Sequence, residues 1–234
     1  MLIRYLIVQK INLNNCYKYI MDKLIKVETI INLYHKYGNS DYIGESVSQL
    51  EHAIQSAIFC QSFIDISNKD GRLKILEDEG SGGLNDNSQT SGGLNDKYLE
   101  DLSIDKNTKN SMIVASLLHD IGHLLYFTDN SIQLMENLGV KNHEELGSKY
   151  LESLGFNDLV VYLVNSHVKA KRYLISKYPK YIEFLSNASI QTLNIQGNLL
   201  SQTEIDEFES HPYYKYAIMI RFSDDYAKVE KSNL

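Results

Sequence analysis

The chain has 234 residues and a net charge of −7 with a sequence pI near 5.5, long enough for one domain with a sizeable core. It has no Lys/Arg cluster able to neutralise a row of phosphates, which argues against a nucleic-acid partner. Cys16 and Cys60 are too few and too far apart for a disulfide framework or a CxxC site, and fit a reducing cytoplasm. The opening MLIRYLIVQK is apolar but too short to span a bilayer and lacks a small-residue cleavage site, so neither export nor a membrane partner is expected.

In chain order, Met21 opens MDKLIKVETIINLYHKYG, a better helical start than what precedes it, so residues 1–20 read as an upstream extension of a domain over 21–234. Leu24, Val27, Ile30, Ile31 and Tyr34 recur at helical spacing and give this helix an apolar face, with Gly38 as its stop signal. Further helices are expected over 47–66, 111–126, 143–153, 158–165, 168–177, 180–187, 203–208 and 212–229. With only Pro179 and Pro212 and no alternating runs bounded by hairpin turns, the chain reads as an all-α bundle. Segment 77–97 differs: SGGLND occurs at 81–86 and again at 91–96. Its glycine, serine, asparagine and aspartate offer little apolar surface to offset ordering entropy, so a flexible insertion is expected.

Six metal-capable side chains are spread along the sequence: His52, the adjacent His119 and Asp120, His143, His167 and Asp224. Four imidazoles and two carboxylates exceed the needs of one zinc and suit two ions with a bridging carboxylate. Adjacent residues cannot share a helix face, so a helix end or distortion at His119-Asp120 is needed for both to reach one centre. Asp225 competes with Asp224 for the last ligand position, and Asp224 is preferred. His35 and His211 have no partner pattern and read as ordinary surface or core residues.

The order His, His-Asp, His, His, Asp resembles the HD-domain superfamily of helical metal-dependent enzymes. DYIGESVSQLEHAIQ, HVKAKRYL, LSNASIQTLNIQG, a spaced E…F…HP and RFSDDYAK, in that order, further resemble the HD-domain mixed-valence di-iron oxygenases. Those enzymes cleave the carbon–phosphorus bond of 1-hydroxyalkylphosphonates, 2-amino-1-hydroxyethylphosphonate being the best-known substrate. The resemblance implies two iron ions, with O2 as co-substrate and a small phosphonate as substrate. It assigns His52, His119, Asp120 and Asp224 to one iron and Asp120, His143 and His167 to the other, with Asp120 bridging. Tyr42 and Glu45 match the family's Tyr-x-x-Glu, the tyrosine ligating iron in the resting state and the glutamate holding its loop or meeting the substrate's amino end.

The resemblance also places His123, Lys171, Ser189, Thr192 and Arg221 at the phosphonate, a dianion that calls for several charge-assisted donors. Ser189 and Thr192 have a second reading as helix-capping residues. Phe222-Ser223 stands where the family usually has a bulkier pair including tryptophan, which bears on pocket shape. A metal-dependent phosphohydrolase acting on a nucleotide or small phosphate ester is the alternative activity, because His and carboxylate ligands also accept manganese and zinc.

Overall fold

The computed structural model describes residues 2–70, 104–135 and 138–228, with side chains in the first of these segments from Lys18 to Ser67. The repeat-bearing segment 77–97 lies outside the described residues. The helices are α1 (Leu2–Tyr37), α2 (Gln49–Asp70), α3 (Lys106–Leu118), α4 (Ile121–Leu125) and α5 (His143–Ser153). They continue as α6 (Asp158–Lys177), a 3-10 turn over Pro179–Phe184, α7 (Asn187–Ile195), α8 (Gln202–Ser210) and α9 (Tyr214–Tyr226). Among the described residues there is no strand; two isolated bridges, Asp41 to Ser48 and Leu134 to Val140, pin loops. The expected all-α class is the one found, and no described helix is long and apolar enough to cross a membrane.

The centre is made by α2, α3, α6 and α9 packed on one another, with α4 and α5 crossing at one end. Cys60 and Ile64 from α2, Met112 and Leu118 from α3, Leu163 and Leu174 from α6, and Met219 and Ile220 from α9 form its apolar interior. Buried side chains of this size contribute about 1.5–3 kcal/mol each, which is what holds the helices in register around the polar residues described below. Asp105 caps α3 by accepting from the backbone N–H of Asn107 and Thr108, Asn157 caps α6, and Ser201 with Glu204 forms a capping box on α8.

Several expected boundaries change. The helix anticipated from Met21 runs unbroken from Leu2, and its apolar face is mostly turned outward: Ile30 and Leu33 are buried, whereas Leu24, Val27 and Ile31 are exposed. Residues 158–177 form one helix, not two; His167, in the polar Asn165-Ser166-His167 stretch that interrupts the apolar pattern, is buried facing an internal polar site. The stretch expected over 111–126 is two helices that break at Asp120, whose φ of −101° and ψ of 11° are non-helical. Helix α7 was not expected; Ser186 starts it by accepting from the Ser189 N–H. The segment expected as a helix over 180–187 is a 3-10 turn that ends at Phe184.

Candidate metal centre and adjoining anion pocket

The break at Asp120 lets consecutive residues aim at one point. His119 closes α3, Asp120 stands between helices, His143 heads α5, and His52, His167 and Asp224 come from α2, α6 and α9. All six are buried. Asp120 divides them into two groups. Its Oδ2 lies 3.5 Å from His52 Nε2 and 3.3 Å from His119 Nε2, while its Oδ1 lies 3.2 Å from His143 Nε2 and 3.4 Å from His167 Nε2. Asp224 Oδ1 completes the first group at 3.3 Å from His52 Nε2. Asp225 turns away, pairing with Arg221 and accepting from the Tyr181 hydroxyl, so the structure puts Asp224 rather than Asp225 beside the imidazoles.

Hydrogen bonding fixes the tautomers. The Nδ1 atoms of His52, His119 and His167 donate to the carbonyls of Ala227, Ser116 and Val164 at 2.7–2.8 Å, and that of His143 faces Val140 O at 3.3 Å. Each Nε2 of a neutral ring then presents a bare lone pair. These lone pairs meet head-on, His52 to His119 at 3.1 Å and His143 to His167 at 3.0 Å. Two lone pairs at that distance repel, whereas a cation beside them makes both favourable. Asp120 Oδ2 and Asp224 Oδ1 are also buried without a hydrogen-bond donor, an arrangement that is costly unless positive charge arrives. Without an ion, the nearby imidazoles hold both carboxylates well below the usual carboxylate range, together with Arg221 beside Asp224. The donor set thus fits bound metal, and all three His/carboxylate triads have ligand atoms within 4.8 Å of one another.

His123 is wired the other way. Its Nδ1 accepts the Val140 N–H at 3.2 Å, which leaves an N–H on Nε2 directed inward, 4.0 Å from Asp120 Oδ1. It stacks on His143 with ring centroids 4.1 Å apart, and burial pushes its pKa down to about 3, so it stays a neutral donor. Gly139, at φ +94°, leaves room for this ring; a Cβ there would sit 2.8 Å from His123 Cε1.

Next to the His/Asp cluster is a cavity of about 60 Å³ whose lining includes Asp120, His123, Lys171, Ser189, Thr192 and Arg221. Lys171 is buried and donates to Ser189 O, Thr192 Oγ1 and Gln196 Oε1 at 3.1, 2.9 and 2.5 Å; burial, with Arg221 nearby, lowers its pKa to about 7. Arg221 Nη1 pairs with Asp224 Oδ2 at 2.7 Å and its Nη2 reaches Ser189 Oγ at 3.4 Å. The N-cap of α7 is Ser186, which leaves Ser189 and Thr192 facing the lysine.

One cation was not anticipated: Lys228 Nζ lies 3.0 Å from Ser189 Oγ and 3.6 Å from Glu45 Oε1. Its position four residues after Asp224, on the same helical side, was the available signal. Tyr42 stacks on His52 with centroids 4.0 Å apart, and burial with Asp120 close by keeps its phenol well above the ordinary range. Tyr42 and Glu45 both line the cavity. His35 is exposed and His211 stacks on Tyr162, away from this site.

Residues 95–207 match the HD domain family. The chain is 30% identical over 202 residues to the [1-hydroxy-2-(trimethylamino)ethyl]phosphonate dioxygenase (glycine-betaine-forming) of Leisingera caerulea, covering 86% of this chain and 80% of that one. It is 30% identical over 207 residues to the hydroxymethylphosphonate dioxygenase of Gimesia maris, covering 88% and 79%. The chain belongs to the HD-domain family of these phosphonate dioxygenases. An uncharacterized protein of Acanthamoeba polyphaga mimivirus is 37% identical over 210 residues, 89% of this chain and 76% of that one. The family match begins after His52 and ends before Arg221.

Proposed function

We propose that this protein cleaves the C–P bond of a 1-hydroxyalkylphosphonate, such as 2-amino-1-hydroxyethylphosphonate to glycine and phosphate, in an O2-dependent reaction at a di-iron centre. The observation that carries the reading is the junction of two carboxylate-linked His groups with a cavity lined by Lys171 and Arg221, beside which Lys228 reaches Ser189 Oγ. His52, His119, Asp120 and Asp224 would hold one iron, and Asp120, His143 and His167 the other. Bound there, the irons supply the redox chemistry with O2 that oxidises the hydroxyl-bearing carbon.

The chain's own contribution is to bind and orient. Lys171, Arg221 and Lys228 surround Ser189 and match a phosphonate dianion, with the Ser189 and Thr192 hydroxyls and the His123 Nε2–H as neutral donors. Anchoring the phosphonate at that end holds C1 toward the His/Asp cluster and fixes its approach. Ile43, Leu138 and Val168 supply apolar patches of the same cavity's otherwise polar lining, which exclude water beside the charged groups and strengthen the electrostatics there. Glu45, half-buried and lining the cavity with Oε1 3.6 Å from Lys228 Nζ but without a hydrogen bond, is the carboxylate an amino substituent would meet. Tyr42 closes over His52, where a phenol could occupy an open metal position until substrate displaces it.

The deciding experiment is phosphate release from 2-amino-1-hydroxyethylphosphonate and hydroxymethylphosphonate by the iron-loaded protein, with and without O2. Release that requires O2 is the expected result. Release from a phosphate ester that persists without O2, and none from either phosphonate, would replace this reading with the phosphohydrolase.

A further inference from the structure

Helix α1 spans 36 residues, about 54 Å at helical rise, and among its described side chains the buried apolar ones lie in its last turns. Ile30 and Leu33 are buried there, and the Tyr34 hydroxyl donates to Leu117 O. Ahead of that anchor, large apolar side chains face solvent: Ile20 is 49% exposed, Leu24 55%, Val27 50% and Ile31 58%. Their spacing is four, three, four, the 3.5-residue repeat of a coiled-coil seam.

We propose that α1 is a dimerisation helix whose partner is α1 of a second copy of this chain, in a parallel, in-register coiled coil. The flanking positions choose this occupant. In a parallel pair each residue just before a seam heptad faces the partner's residue five further on. Here Lys23 would face Glu28, a cation with an anion. Lys23 and Glu28 are both exposed. The seam stops where Tyr34 turns into its own bundle, which leaves the cavity on each copy untouched.

The test is the solution mass of the full chain, iron-loaded and iron-free, by light scattering across a wide concentration range. The wild-type protein is expected at twice 26.8 kDa, and Leu24→Glu combined with Val27→Glu at the single mass. Ile25→Glu, exposed but off the seam, should stay at the double mass. Lys23→Glu alone and Glu28→Lys alone should each shift the equilibrium toward monomer, and the two together should restore the dimer. A wild-type protein that is monomeric throughout overturns the proposal, as does a dimer that survives Leu24→Glu with Val27→Glu. Failure of the double charge exchange to rescue, or a monomer that cosediments with anionic vesicles through α1, would do the same.

Discussion

Gly122→Ala tests how the bundle places His143. Helix α4 crosses the start of α5 so closely that a Cβ on Gly122 would stand 2.0 Å from the His143 carbonyl oxygen, 2.7 Å from its carbon and 2.9 Å from its Cα. All three are backbone atoms, so no side chain can swing aside. Ordinary contact begins near 3.4 Å, and the head of α5 must therefore retreat by about 1.4 Å. His143 Nε2 sits 3.2 Å from Asp120 Oδ1 and 3.0 Å from His167 Nε2, and metal sites tolerate departures of only about 0.2 Å in ligand distance. We expect affinity for one of two bound metal ions to fall about 10–100-fold, the loss usual when a ligand's support is removed. The other ion, away from His143, should be held nearly as before. Overpacking should also cost about 1–3 kcal/mol, lowering the metal-free melting temperature by about 2–4 °C for each kcal/mol. Chelator competition, metal stoichiometry and thermal melts measure these effects. Gly147→Ala, whose Cβ meets nothing closer than 3.2 Å, is the milder comparison at the same crossing. Wild-type metal affinity and melting in Gly122→Ala would refute the claim that this close approach sets His143.

Asp120→Asn should weaken both metal ions together, since its two oxygens face different pairs of imidazoles, and stoichiometry near one ion per chain would contradict that. Lys171→Ala should raise substrate KM far more than it reduces iron loading; equal losses would make the lysine structural. Because burial lowers the Lys171 pKa to about 7 in the free protein, dianion binding above that pH must take up a proton. Affinity should then fall toward tenfold per pH unit above about 7 and be flat below it, and Lys171→Met should abolish the slope in a titration from pH 6 to 9. Ser201→Ala removes the capping box of α8 and should cost about 1 kcal/mol in denaturant unfolding with activity unchanged.

How much of this was legible in the sequence depends on what each residue answers to. Helix α5 has the expected limits, because its apolar spacing and its boundaries are local. Helix α6 was read as two pieces since Ser166 and His167 break the apolar rhythm, and only the assembled bundle supplies the polar site that His167 faces. The stripe of α1 was read as an apolar face, but periodicity alone does not say which partner covers it. The grouping of imidazoles around two oxygens of Asp120 also had local roots: His119, His143 and His167 each direct Nδ1 at the carbonyl three residues earlier. His52 does so only through Ala227, 175 residues away, and that contact has no trace in local sequence. Lys228 was missed for a similar reason, since its closeness to Ser189 depends on how α7 packs against the end of α9.

Arg221 is what makes the two halves of the site one electrostatic unit. Asp224 offers Oδ1 to His52 and Oδ2 to Arg221, so one carboxylate is shared between the imidazole cluster and the cation pocket. Asp225 holds the other side of the same guanidinium through Nε at 2.8 Å, and Tyr181 donates to Asp225 from behind. A fully buried guanidinium is thereby fixed in orientation without any ligand, which lowers the ordering cost of binding an anion. A cation drawn to Oδ1 would pull carboxylate density away from Oδ2 and loosen the hold on Arg221, leaving it more positive toward the pocket. The reverse must also hold: an anion that competes for Arg221 frees Asp224 to hold its cation more tightly. Placing Arg221 three residues before Asp224, one helical turn away on α9, builds this link into a single helix.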